Sequence, residues 1–109
     1  MDARKQNQLE ARAHVFKALS HPTRLFIVEQ VAQKERCVAE LTEMVGADMS
    51  TISKHLSLMK AVGLLNDEKR GNQVFYRLAT PCVLDFFTCL ESVLEARVQS
   101  QIDLVRGSA

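Results

Sequence analysis

The chain has 109 residues, 47% hydrophobic and 25% charged, with only 2 prolines, 4 glycines and a formal net charge of +1. That is enough chain for one domain with a real core, and it is the composition of a soluble, mostly helical protein. No apolar run approaches the roughly 18 residues that span a bilayer, and the polar opening MDARKQNQLEARAH carries no apolar export signal, so a cytoplasmic protein with no membrane partner is expected.

A first helix is predicted over about Arg4 to Leu19, where Leu9, Ala13, Phe16 and Leu19 recur at helical spacing. Ser20 reads as the N-cap of the next helix, with Pro22 in its first turn. That helix, PTRLFIVEQVAQ, should bury Leu25, Ile27, Val28 and Val31, and the polar run 34–36 breaks the chain after it. A third helix, VAELTEMV, begins near Cys37 or Val38 and carries Leu41, Met44 and Val45 on its apolar stripe; Gly46 suits the left-handed position that closes it. Asp48 is the expected N-cap of a fourth helix, STISKHLSLMKAV, closed by Gly63. Its apolar positions are Ile52, Leu56, Met59 and Val62, which leaves Ser50, Thr51, Ser53, Lys54 and Ser57 on other faces.

Leu64 to Lys69 and Gln73 to Leu78 alternate as two strands, with residues 70–72 supplying the turn. Thr80 and Pro81 open the last helix, PCVLDFFTCLESVLEARVQSQIDLV, which is apolar on more than one face through Val83, Leu84, Phe86, Phe87, Leu90, Val93, Leu94 and Val98. Helix, tight turn, helix and β-hairpin in this order over Val38 to Leu78 describe a winged helix-turn-helix, a mostly α fold of order ααααββα whose usual work is reading duplex DNA. Residues 1–109 are expected to form one such domain. A chain this small cannot cover the last helix alone, so its first and last helices are expected to form a dimer interface.

The distribution of charge says more than its sum. From Ser50 to Arg77 there are five Lys/Arg (Lys54, Lys60, Lys69, Arg70, Arg77) against two acids, whereas His21 to Met49 has three bases against five acids and Leu78 to Ala109 two against four. Positive charge therefore gathers on the proposed reading helix and wing, as a phosphate-facing surface requires; a solvated charged face is the plainer reading of the same pattern. Small hydroxyl residues at the start of a helix fit closely into a groove, and the helix dipole favours phosphate there.

With these parts in place the chain resembles the arsenic-repressor (ArsR/SmtB) family of bacterial transcriptional repressors. FKALSHPTRLFIVEQV resembles that family's opening pattern, MSTISKHLSLMKAVGLL its recognition helix and GNQVFYRL its wing, so the likeness covers Phe16 through Leu78. The resemblance implies a homodimer that binds an imperfect palindrome in double-stranded operator DNA and leaves it when an inducer, often a metal ion or metalloid, binds. It places Ser50, Thr51, Ser53, Lys54 and His55 on the groove-facing helix; His55 reads equally as a histidine packed between helices. Ser57 and Lys60 share that helix, and Lys69, Arg70, Asn72 and Gln73 of the wing are expected at the backbone or minor groove. Met49 departs from the polar residue that relatives often carry there.

Three cysteines without an export signal imply reduced thiols. ERCVAEL resembles the family's metal-binding box, C-V-C on the third helix, but only Cys37 is present and Ala39 replaces the second cysteine. Cys37 stands near a helix N-terminus, which favours the thiolate that binds soft ions. Cys82 and Cys89 lie on the last helix with Phe86 and Val93, about 10.5 Å apart along its axis, too far for a disulfide between them. Ordinary buried cysteines are the plain alternative for all three.

The histidines are His14, His21 and His55, so the last helix has no imidazole to offer zinc or nickel. Thiols alone suit a thiophilic inducer. Cys37, Cys82 and Cys89 are therefore the expected ligands of As(III) or another soft ion, acting as an inducer and not as an intrinsic cofactor, within one chain or between two. Thiol oxidation or reactive sulfur is the alternative switch. A winged-helix protein-interaction module is a further alternative, opposed by the absence of acids between Ser50 and Val62. No phosphate-cradling glycine pattern, nucleophile elbow or metalloprotease histidine pair is present, so an enzyme is not expected.

Overall fold

The computed structural model describes residues 1–107. Five helices and three short strands follow in the order α1 (Ala3–Leu19), α2 (Pro22–Gln33), β1 (Arg36–Cys37), α3 (Val38–Val45), α4 (Met49–Ala61), β2 (Leu65–Arg70), β3 (Gln73–Leu78) and α5 (Val83–Arg106). The winged helix-turn-helix read from the sequence is present, with one addition. Arg36 and Cys37 pair antiparallel with Tyr76 and Phe75, so the wing is a three-stranded sheet in the order β1-β3-β2. Two residues are too few to show a period of two, and the segment reads locally as a polar break.

Local chemistry explains the helix ends. The α1 N-cap is Asp2, whose carboxylate accepts the Lys5 N–H at 2.8 Å. Ser20 caps the end of α1, its hydroxyl donating to the Lys17 carbonyl at 2.8 Å, and does not start α2 as its residue type suggested. His21 takes that place: its Nδ1 accepts the Thr23 N–H at 3.0 Å, and Pro22 follows in the first turn. At α3 the Cys37 N–H donates to Glu40 Oε1 at 3.2 Å. That bond is the main reason the Glu40 carboxyl lies below its usual range, ahead of the Cys37 side chain and nearby Lys34 and Arg36. Gly46 closes α3 at φ +79°, a conformation that strains a side chain.

The core is built by Ile27, Val28 and Val31 of α2, Leu41 of α3, Ile52, Leu56 and Met59 of α4, and Leu64, Leu65 and Tyr76 around the sheet, closed by Ala18, Leu19 and Val83. Leu25 and Val62, expected inside, are half-buried beside it, and Met44 is exposed. The hairpin pairs Leu65 with Leu78 through Arg70 with Gln73, so Gly71 and Asn72 form a two-residue turn. Of these two, only Gly71, at the first central position, has a positive φ, as a turn of this length requires.

The end of the chain behaves differently. Val83 is the single fully buried residue of α5, although the helix runs for 24 residues. Phe86, Leu90, Val93, Leu94 and Val98 are all half or more exposed, and Phe16 of α1 lies edge-on to Phe86 with ring centroids 6.0 Å apart. The radius of gyration is 17.7 Å, against about 13 Å for a compact chain of this length.

Candidate nucleic-acid interface

The inward face of α4 fixes its outward one. Ile52, Leu56 and Met59 are wholly buried, so Ser50, Thr51, Ser53, Lys54 and Ser57 face solvent. The helix start is set by Asp48, whose carboxylate accepts the Thr51 N–H at 2.8 Å and the Ser50 hydroxyl at 2.9 Å. The Thr51 backbone bond is the leading reason that this carboxyl lies below its ordinary value. One hydroxyl expected at DNA, that of Ser50, is therefore already donating to a neighbour.

The wing brings further expected residues alongside. Asn72 and Gln73, at the hairpin tip, join Ser53, Met49 and Val74 in lining a concavity of about 260 Å³, with Cys37, Val38 and Ala39 at the start of α3. Residues more than twenty positions apart in the chain thus share one surface.

The cations divide in two. Lys60 Nζ lies 2.9 Å from one Asp67 oxygen and donates to the other at 3.0 Å, a bond that raises the Lys60 ammonium above its ordinary value. Arg70 pairs with Glu35 at 2.8 Å and Glu68 at 2.9 Å, and its guanidinium lies 4.7 Å from the centre of the Phe75 ring. The hydrogen bond from Arg70 is the main reason the Glu68 carboxyl lies low. Lys60 and Arg70, expected as free phosphate contacts, therefore belong to neutralised groups, and Arg70 also ties the wing to the segment before β1. Among the described residues Lys54 and Lys69 make no ion pair and remain available to an anion.

His55 is displaced from the groove-facing set in a different way. It is half-buried, and its ring packs on that of His21 with centroids 4.7 Å apart and planes 51° apart. Burial first, then His21 and Arg24, holds its imidazole below the ordinary value of 6.5. Of the two readings the sequence allowed, the structure takes the packed histidine.

The cysteines do not converge within one chain. Cys37 is buried at 6% exposure, while Cys82 and Cys89 are exposed. Cys89 borders an apolar cavity of about 440 Å³ lined by Phe16, Leu19, Leu25, Phe86 and Leu90, on different walls from those around Cys37. Among the described residues no three His, Cys, Asp or Glu side chains stand close enough to hold a metal ion. A single-chain site made of Cys37, Cys82 and Cys89 is therefore not assembled: Cys37 is buried at the end of β1, whereas Cys89 on α5 and Cys82 are exposed, and Cys82, expected on the last helix, stands just before it because α5 begins at Val83.

A mostly helical winged helix-turn-helix with a hydroxyl- and lysine-bearing reading face defines the class: a regulator of the DNA-binding type. The family model of bacterial regulatory proteins, arsR family, matches residues 21–67. The HTH-type transcriptional repressor SmtB of Mycobacterium tuberculosis H37Rv is 38% identical over 71 residues, 65% of this chain and 53% of that protein. The chain thus spans about half the length of that repressor. An uncharacterised HTH-type transcriptional regulator of the same organism is 33% identical over 90 residues, covering 82% of this chain and 78% of its own length. A solved homodimeric winged helix-turn-helix DNA-binding domain from Mycobacterium bovis, described as a possible ArsR-family regulator, superposes with a TM-score of 0.77 at 30% identity over 92% of this chain and 93% of that one. The chain belongs to the ArsR family, and these relatives are transcriptional regulators, not enzymes.

Proposed function

We propose that this protein is a homodimeric transcriptional repressor that binds double-stranded operator DNA through α4 and the wing and is released by chemistry at its cysteine thiols. The observation that carries the DNA-binding half is the outward face of α4: Ser53, Lys54 and Ser57 stand free on a rigidly packed helix, beside Asn72 and Gln73. Phosphate contacts from Lys54 and Lys69 position the protein, and the small polar residues of α4 approach the base edges. The dimer is supported by the uncovered apolar length of α5 and by the homodimeric state of the M. bovis relative. Two copies present two reading helices, which is how this fold addresses a palindromic site.

For release, the reading is a soft thiophilic inducer, As(III) first. Cys82, just before α5, and Cys89, on it, are exposed, and thiols are the donors such ions prefer. Since one chain gathers no three donors among its described residues, the ligands are drawn from both copies, with Cys37 adding its thiol if the buried start of α3 opens. The ion acts by favouring a dimer geometry in which the two reading helices no longer match the operator. Thiol oxidation at the same exposed cysteines is the competing switch.

The deciding experiment is fluorescence anisotropy of the reduced protein on labelled duplex from upstream of its own gene, with and without stoichiometric arsenite. Binding that weakens with salt and collapses on arsenite is the expected result. Cys37→Ser, Cys82→Ser and Cys89→Ser are each expected to keep DNA binding and lose the response. Unchanged response in all three removes a thiol sensor. Loss of binding on oxidant with indifference to arsenite moves the switch to redox chemistry. Absence of binding to any duplex in a wide search at low salt rejects the repressor.

A further inference from the structure

The contact between His21 and His55 places two titratable rings between the start of α2 and the reading helix. His21 is the N-cap of α2, and its Nδ1 accepts the Thr23 N–H at 3.0 Å. A nitrogen that accepts carries no proton, so the proton of the neutral ring is on Nε2. His55, on α4 between the wholly buried Ile52 and Leu56 positions, lays its ring on that of His21 at 4.7 Å.

Arg24 adds a fixed cation. Its guanidinium donates to the Lys17 and Ala18 carbonyls at 3.4 and 3.2 Å, which ties the end of α1 to α2, and its Nε is buried without a partner. An imidazolium at His55 would therefore sit among His21, Arg24 and apolar neighbours. After burial, the charges that hold the His55 imidazole low are those of His21 and Arg24.

We infer that His21 and His55 are positioning residues whose ring contact holds the reading helix against α2 only while the His55 ring is neutral, so that mild acidification weakens DNA binding. This inference rests on the DNA-binding reading above. The direction is opposite to that of a histidine lying at phosphate, where a proton adds a favourable contact. The sign follows from burial: folding holds the His55 imidazole below its ordinary 6.5. The unfolded chain therefore takes up a proton first, the packing contributes fully above about pH 6.5, and it is lost as pH falls through the lowered value.

The test measures duplex affinity at about pH 7.5 and about pH 5.5 at matched ionic strength, together with the NMR titration of the imidazole Cε1–H resonances. For the unsubstituted protein, affinity is expected to fall about fivefold to tenfold on acidification. His21→Ser keeps a capping oxygen and removes the second ring; it should weaken binding at the higher pH, since the ring contact is lost, flatten the pH dependence and move the His55 midpoint upward. His55→Gln should flatten the same profile if His21→Ser folds poorly. His14, exposed on α1, is unchanged in every variant and cancels. Tightening on acidification, or a His55 midpoint that ignores His21→Ser, overturns the inference. If no duplex binds at the higher pH, the repressor reading fails while the NMR midpoints still decide whether the two rings are coupled.

Discussion

The two amphipathic helices that bracket the wing, α4 and α5, repeat apolar residues at similar spacings and meet opposite fates. In α4, Ile52, Leu56 and Met59 disappear completely under α2, α3 and β2. In α5, Phe86, Leu90, Val93, Leu94 and Val98 remain half or more in solvent; near the helix start Phe16 of α1 meets the edge of Phe86, and Phe87 turns partly into the core. The contrast shows what a hydrophobic period can and cannot say. It marks a face that must leave water, and it does not say whether this chain or another copy provides the cover.

The sharpest way to break that contrast is to charge the uncovered face. Leu90→Glu is expected to leave the helical content intact, convert a dimer to a monomer in sedimentation, and weaken duplex binding about a hundredfold or more, since two linked reading helices bind far more tightly than one. A single species of unchanged mass with unchanged affinity would show that α5 is not the cover. The covered face should fail in another way. Leu56→Ala removes a wholly buried side chain and is expected to cost about 2–5 kcal/mol of stability in denaturant unfolding. That loss should appear at every protein concentration, whereas the cost of the milder Leu90→Ala should depend on protein concentration, because the half of Leu90 left exposed in one chain is expected to be covered by a second copy.

Legibility in the sequence follows the same division. Features that depend on neighbours in the chain were readable: the bounds of α2, the left-handed Gly46, the Asp48 cap and the hairpin about Gly71. Features that depend on distant pairing were not. The β1 strand exists only because Arg36 and Cys37 meet Tyr76 and Phe75. Ser20 and His21 both offer a capping atom, and the histidine caps α2 because Ser20 is turned back onto the Lys17 carbonyl. The candidate site divides likewise. The outward position of Ser53, Lys54 and Ser57 follows from the period of α4, but the partners of Lys60 and Arg70 lie on β2 and before β1, so a count of charges along the chain overstated the free positive surface.

That overstatement yields the smallest of the expected effects and the most discriminating about the interface. Affinity for duplex falls with salt in proportion to the phosphates that the protein neutralises. Lys54 has no ionic partner among the described residues, so Lys54→Gln should weaken binding about threefold to tenfold and reduce the slope of log affinity against log salt by about one. Lys60 and Asp67 form a neutral pair, and removing both together with Lys60→Gln and Asp67→Asn changes no net charge. The double variant is expected to keep the slope of the unsubstituted protein. An equal loss of slope in both variants would mean that DNA draws Lys60 away from Asp67. The reading surface would then include the end of α4 as well as its start, and the pairing seen in the free protein would be a resting arrangement that phosphate displaces.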